Sequence, residues 1–522
     1  MFFYVFLPKT NKHKNTMKKH LFLLILAFAS LVLQAQNNDI FSVMYHDQQG
    51  LSFVNEGLLQ QHDGDFIINT FVFENTNAYD DVPLGNMFYK MSPTSLTFTD
   101  SLFVVDTTMV SLHCYHLDHN PNGEGNILTY FKYHEDCDSC FLHIYHFTSN
   151  NLTPIEDVVV PVCEGYASGQ VSTVDCRGDL ILQYYKQIDA LHHDAYAARF
   201  GVDGTLKHQA LLFENENHGT SQLQVFKESP LQYFQWGLSE TLTGPWNNLS
   251  IYVLDSLFHK NPIVISSSLG NNEYLYVDGD TEVIPVGGDN VLVAAKYTHE
   301  VNPQNPMQNE FGVVVAKYDL RTMQPKGHIT FNDYPGINSK GQCLGIKMMT
   351  DGTVYFLYKE NGYPEESFVV VKMDNDLNVE WKRFYKTDNI VLSWLLYPVL
   401  CKDEQGEEKG IVWGGYGWTF DNDHPFILFY LNHDGTVGTN EGSIEVRPYA
   451  FYPNPVKEQL LMQFSPDVQP KQIELYDLQG RLVRTQGNAF ESIDMGQLPA
   501  GTYTMRVTLE NGETYSDKVV KE

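Results

Sequence analysis

The chain of 522 residues lacks the short motifs of the commonest hydrolases and nucleotide enzymes. It has no Gly-x-Ser-x-Gly, no His-Glu-x-x-His and no phosphate-binding glycine loop. Basic charge is scarce too. Only 34 Lys and Arg stand against 64 Asp and Glu, a formal net charge of −30, and a field of that sign repels phosphate polymers and anionic membranes. No nucleic-acid partner is expected. After the first 35 residues no run of eighteen apolar residues occurs, so the remainder offers no transmembrane helix. Helical periodicity is also nearly absent, which leaves strands as the material of the fold.

The basic residues that do occur are unevenly placed. Met17-Lys18-Lys19-His20, the apolar run from Leu21 to Leu33 and then Gln34-Ala35 give the charged, hydrophobic and small-residue regions of a signal peptide. Residues 1–35 are therefore expected to be removed after Ala35, with Met17 as the expected start. They hold five lysines and no acid, so the mature chain carries 29 basic residues against 64 acidic ones. Such a surface favours solubility.

Between residues 36 and 446 the chain repeats a strand that runs into a polar turn. The apolar residue ending each copy falls at Met91, Phe147, Phe200, Leu254, Tyr318, Met373 and Leu431, with spacings of 56, 53, 54, 64, 55 and 58. A second marker, a turn followed by an apolar strand, keeps the same rhythm at Phe66-Ile67-Ile68, Ile127-Leu128, Leu180-Ile181-Leu182, Tyr233-Phe234, Val291-Leu292-Val293, Val354-Tyr355-Phe356 and Ile411-Val412-Trp413. A fixed period of this length, with about four strands per copy, predicts a seven-bladed β-propeller. The strand Ile40 to Tyr45 is expected to complete the last blade. Two packed sandwiches with evenly spaced strands are the alternative. Lys90, His146, Arg199, Lys317 and Lys372 each stand just before an anchor, a recurrence that reads as blade geometry.

Cysteine is sparse and odd in number. Of seven, Cys114, Cys137, Cys140, Cys163 and Cys176 lie close together, whereas Cys343 and Cys401 are isolated and read as small buried hydrophobes. A secretory leader places them where disulfides persist, so at least one of Cys137 and Cys140 is expected to pair with Cys114, Cys163 or Cys176. His134, Cys137, Cys140 and His143, each three apart, are the alternative: a zinc site on a hairpin. No metal and no cofactor is expected.

Other constellations are weaker. Asp374-x-Asp376-x-Asn378 opens like a calcium loop, but Val379 stands where Gly is needed and the acidic twelfth ligand is missing; a β-turn is expected. Acid pairs at Asp80-Asp81, Glu365-Glu366, Glu407-Glu408 and Asp421/Asp423 are candidates for a glycosidase dyad or for solvated loops. Tyr416, Trp418, Phe420, Tyr363 and Trp246 offer either a sugar-stacking platform or blade packing.

The last residues have a different grammar. Prolines at 453 and 455 in Phe451-Tyr452-Pro453-Asn454-Pro455 stiffen the chain and remove two donors, which marks a boundary. Ile473 and Leu475 alternate with polar residues before the turn Tyr476-Asp477-Leu478-Gln479-Gly480-Arg481, and Leu482 and Val483 resume the apolar pattern. Leu498-Pro499-Ala500-Gly501-Thr502-Tyr503 fits a type I turn, and the strand after it alternates through Met505, Val507 and Leu509 to the hairpin signal Asn511-Gly512. A small immunoglobulin-like β-sandwich is expected over 447–522.

That ordered set resembles the type A C-terminal sorting domain of the type IX (Por) secretion system of Bacteroidetes. The residues carrying the resemblance are Tyr452, Pro453, Asn454, Pro455, Tyr476, Asp477, Gly480, Arg481, Pro499, Ala500, Gly501 and Tyr503; the final Lys521-Glu522 is less basic than the family's usual ending. The resemblance implies passage through the Sec translocon, recognition by the outer-membrane machinery and removal by its sortase-like protease. Secreted or surface cargo is therefore expected, with the propeller binding an extracellular protein or glycan without catalysis. The alternative is a polysaccharide hydrolase or lyase with an acidic site at the propeller channel.

Overall fold

Strand-forming sequence dominates the computed structural model. It describes residues 43–44, 51–60, 65–74, 82–92, 97–105, 115–121, 125–134, 137–148, 152, 154–189, 192–216, 223–238, 249–277, 281–301, 309–331, 341–349, 351–359, 367–387, 390–402, 408–419, 426–432, 444–452 and 456–522. The described strands form nine antiparallel sheets. Two units are distinguished: 1–266 with 390–433 and 438–442, and 267–389 with 434–437 and 443–522.

The first unit holds the first four sheets of the repeat and the seventh. Sheets one to four span 51–105, 115–164, 167–216 and 224–265, each a four-strand meander in chain order. The seventh is built from Ile390–Lys402, Glu408–Thr419 and Phe426–Asn432, and its fourth strand is Val43–Met44, with Val43 opposite Ile427 and Met44 opposite Phe426. The N-terminal segment thus completes the last sheet, as its sequence predicted.

Consecutive sheets share cores. Ile67 and Phe88 of the first pack with Leu128 and Tyr145 of the second, while Ile127 and Phe131 of the second pack with Leu180 and Phe200 of the third. Ile181 of the third meets Leu231 and Tyr233 of the fourth. Adjacent residues such as Ile127 and Leu128 therefore bury on opposite faces, because side chains alternate along a strand. This is why the second strand of each copy reads as an unbroken apolar run. One sheet packing on the next in series is the arrangement of blades, not of paired sandwiches.

In the second unit, the fifth and sixth sheets span 268–331 and 342–387 and share a core of Leu292, Val315, Val354, Phe356 and Val371. The first strand of the fifth sheet is split into Glu273–Tyr276 and Glu282–Pro285, both paired with Asn290–His299. All seven anchors occupy the last or next-to-last place of a third strand and are at most 3% exposed. The described residues are all-β: a β-propeller with seven successive sheets, followed by a small sandwich.

The sandwich pairs the sheet Tyr449–Tyr452, Gln459–Phe464, Ser492–Asp494 with the sheet Leu482–Gln486, Pro470–Tyr476, Gly501–Leu509, Thr514–Lys521. Ile473, Leu475, Tyr503, Met505, Val507 and Leu509 fill its core, as their alternation predicted. Ahead of it, Ile444–Arg447 adds a fifth strand to the sixth sheet, with Arg447 opposite Phe384 and Ile444 opposite Thr387. Only Pro448 separates that strand from the sandwich.

One five-residue turn closes hairpins in both kinds of domain. The first residue's N–H donates to the fifth residue's carbonyl and the fourth residue's N–H donates to the first residue's carbonyl, at 175–179, 201–205, 255–259, 349–353, 374–378, 477–481 and 509–513. The fourth position takes positive φ, which suits Gly178, Gly204, Gly352, Gly480 and Gly512, but Phe258 and Leu377 adopt it too. Asn511-Gly512 thus serves the five-residue turn, not a two-residue loop.

Candidate functional site

The sandwich gathers the residues that the sequence marked for sorting. Asp477 opens one of the five-residue turns, accepting from the N–H groups of Gln479 at 2.9 Å and Arg481 at 3.0 Å and from Arg481 Nε at 2.8 Å. Hydrogen bonds from Arg481 hold its carboxyl below the usual range. Gly480 supplies φ 73 in a place where an added Cβ would meet nothing within 4 Å; the demand is conformational, not one of space. The Tyr476 ring centroid lies 5.8 Å from the Arg506 guanidinium, and the Tyr503 hydroxyl donates to the Pro499 carbonyl at 2.7 Å. Ala500 and Gly501 lead directly into the strand. Tyr452 ends its strand; its side chain and residues 453–455 lie outside the described residues.

Two details here go beyond the sequence reading. A hydrogen-bonded turn immediately precedes Pro499, with Leu498 N–H donating to the Met495 carbonyl, and the Pro499 carbonyl accepts from the Tyr503 hydroxyl. Leu482 and Val483 do not bury: they are 52% and 38% exposed, and Leu478 at the turn is 78% exposed. Their strand is the edge of its sheet, so among the described residues no further strand pairs with its outer side. The motif therefore builds a stiff hairpin that presents three apolar side chains.

The cysteine and histidine cluster is split by strand alternation. His134 stands opposite Ser139 and Tyr130 opposite His143, which puts His134 and His143 on one face, their Nε2 atoms 3.3 Å apart. His143 stacks on Tyr130 at 4.3 Å between centroids. Cys140 points to the other face, into the core shared with the third sheet, where its Sγ lies 3.4 Å from the Gly165 carbonyl. Cys137 is exposed at the hairpin turn, its Sγ 3.7 Å from the His134 carbonyl. The tetrad considered for zinc is thus not assembled, and the described residues hold no group of three metal-ligating side chains.

Cys163 stands directly opposite Cys140, and Cys176 lies exposed on the 175–179 turn with its Sγ 3.9 Å from the Glu228 carbonyl. Cys343 is buried between the fifth and sixth sheets. No disulfide joins any two of these five in the structure. Cys114 and the Cys401 side chain lie outside the described residues.

The basic residues before the anchors act as staples. His146 Nε2 lies 3.1 Å from the Val202 carbonyl, 56 residues on. Arg199 donates to the Ser256 carbonyl, 57 residues on, and Lys317 Nζ sits 2.6 Å from Asp376, 59 residues on. Each reaches the turn before the fourth strand of the next sheet. Lys90 and Lys372 instead pair with Asp65 and Glu380 of their own sheets. Arg199 also belongs to a buried cluster that the sequence did not single out: its Nη2 donates to the Tyr233 hydroxyl at 3.1 Å, which donates to Asp175 at 2.7 Å. Burial, reinforced by Asp175, pushes the Tyr233 hydroxyl above its usual range.

Two further features also escaped the sequence. Arg383 makes a two-pronged contact with Asp467 at 2.8 and 2.6 Å, across 84 residues, while Ser465 Oγ accepts from the Lys382 N–H at 2.9 Å. These bonds fix the sandwich to the sixth sheet, and no local pattern announces them. Glu282, on the split first strand of the fifth sheet, is pushed up to about 7 by burial alone. The Asp374 turn forms as expected, its carboxylate accepting from Asp376 and Asn378 N–H. Asp80-Asp81, Glu365-Glu366, Glu407, Asp421 and Asp423, with Trp246, Tyr363 and Phe420, lie outside the described residues, as do the side chains of Glu408, Tyr416 and Trp418.

No curated protein matches the chain. Solved structures similar to it include the α-L-arabinofuranosidase Arb93A from Fusarium graminearum, at 11% identity over 75% of this chain and 96% of that one with a TM-score of 0.37. A Penicillium chrysogenum α-L-arabinanase follows at 10% identity, over 61% and 93%, TM-score 0.36. A Synechocystis apocarotenoid oxygenase matches at 11% identity, over 64% and 88%, TM-score 0.34. They lend this chain no activity. Residues 450–522 match the secretion system C-terminal sorting domain, the type IX signal that directs a chain to export and to release or attachment at the cell surface.

Proposed function

We propose that this exported protein uses its propeller to bind a protein or glycan outside the cell, without catalysing a reaction on it. One observation carries the reading. Charged and histidine groups that the repeat singled out are engaged in stapling one sheet to the next or to its own strands, as His146, Arg199 and Lys317 show. Among the described residues, Glu282 is the carboxyl raised to about 7, a value suited to a general acid, but no neighbouring charge contributes to its shift, and a glycosidase works with a pair of carboxyls.

Residues 1–35 take the chain to the Sec translocon and are cut after Ala35. The sandwich then engages the type IX machinery, whose sortase-like protease removes it. The exposed Leu478, Leu482 and Val483 offer that machinery an apolar grip on an otherwise acidic molecule.

The test applies the purified secreted protein to a glycan array and to envelope protein extracts, and in parallel to plant and microbial polysaccharides. Saturable binding without release of sugars supports the reading. Turnover of a polysaccharide that Glu282→Gln abolishes would replace it with the hydrolase alternative.

A further inference from the structure

Cys140 and Cys163 face each other across the third and fourth strands of the second sheet, in direct register. Residues directly opposite in an antiparallel pair have Cα atoms about 4.5–5.5 Å apart, inside the roughly 4.4–6.8 Å window of a disulfide. Cys140 is wholly buried in the core shared with the third sheet, and Cys163 is half-buried against the same core. Their thiols are within hydrogen-bonding reach of each other. The remaining described cysteines sit elsewhere: Cys137 at the exposed hairpin turn, Cys176 on a turn of the third sheet and Cys343 in the core of the fifth and sixth.

The geometry points to a cross-strand disulfide between Cys140 and Cys163 in the exported protein. The inference rests on the export reading, which takes the chain through an oxidising compartment. The oxidant is the disulfide of a periplasmic thiol oxidoreductase. Cys163, the more accessible sulfur, attacks it as thiolate, and one oxidoreductase cysteine leaves as its thiol. Cys140 then loses its proton and attacks the Cys163 sulfur of the mixed disulfide, expelling the second oxidoreductase cysteine. Two protein thiols are oxidised, one disulfide is reduced to a dithiol, and two protons move with the two electrons. The Cys163 thiol is held low by the hydrogen bond from Cys140 and by Lys186, which favours it as the first nucleophile.

The full-length protein is recovered from the medium or cell surface, its free thiols are alkylated without reductant, and its peptides are mapped by mass spectrometry. The expected result is one linked peptide pair joining Cys140 to Cys163, with Cys137 and Cys176 alkylated. The same pair should persist in Cys137→Ser, and reductant should lower the melting temperature of the wild type but not of Cys163→Ser. Alkylated Cys140 and Cys163 in protein recovered outside the cell overturns the proposal, as does linkage of either to another cysteine. A second arm treats purified, reduced protein with oxidised glutathione. Failure to form the link there overturns the pairing itself, whereas a link formed there together with protein found only inside the cell overturns the export reading instead.

Discussion

Glu282 shows what a single residue in this fold costs. Its carboxyl is held at about 7 against 4.5 for an ordinary glutamate, because burial disfavours the charge. Deprotonation therefore penalises the folded state more than the unfolded one. The contribution is intact below about pH 4.5, falls away across the window up to about 7 and stays lost above it. Glu282→Gln is expected to leave stability at pH 4 nearly unchanged and raise it at pH 8 by up to about 3 kcal/mol, measured by denaturant unfolding; equal effects at both pH values would count against it. Met323 offers a second case. It holds φ 59 with its side chain 44% exposed, so Met323→Gly relieves left-handed strain with little packing lost, and a gain of about 1 kcal/mol is expected. A loss in the same unfolding experiment would refute this. Neither feature was legible in the sequence: Met323 and Leu377 are not residues that announce positive φ, and burial of Glu282 arises from neighbours distant in the chain.

At the scale of elements, the repeat was largely legible because its physics is local. A strand buried on both faces must be apolar at consecutive positions, and the turn that follows must be polar; both leave marks at fixed intervals. The staples were half legible. His146, Arg199 and Lys317 recur before the anchors, so their position was visible, but their acceptors include backbone carbonyls of Val202 and Ser256, which any sequence would supply. The Arg383 clamp left no mark. Burial opposes ionisation of Asp467, yet the bonds from Arg383 and Ser465 hold its carboxyl below the usual range. Arg383→Ala is expected to weaken the attachment of the sandwich by about 2–3 kcal/mol, since it strands Asp467 in a half-buried place. Hydrogen exchange should then rise at 444–447 and not in the third sheet; unchanged protection there would defeat the idea.

For the whole molecule, the address was the most legible feature and the ligand the least. The sorting motif is read from turns and alternation within a short segment, which single residues such as Asp477 and Gly480 enforce. What the propeller is proposed to bind would be set by loops, many of them outside the described residues, whose composition carries no chemistry specific to one partner. Removing residues 447–522 should leave the remainder in the periplasm, as cell fractionation would show. Normal amounts of truncated protein in the medium or on the surface would falsify this.

The strand Ile444–Arg447 has a mechanical meaning. Because it is bonded along the edge of the sixth sheet and only Pro448 follows before the sandwich, the sandwich is not on a slack tether. A pull on it arrives at the Arg447 end of a four-rung ladder, where the bonds can break in succession, beginning opposite Phe384. Arg383, gripping Asp467 beside that first rung, acts as a latch against such peeling. Traction during export would thus have to undo the latch before it could strip the strand, and the cargo would yield in a set order and at a defined seam.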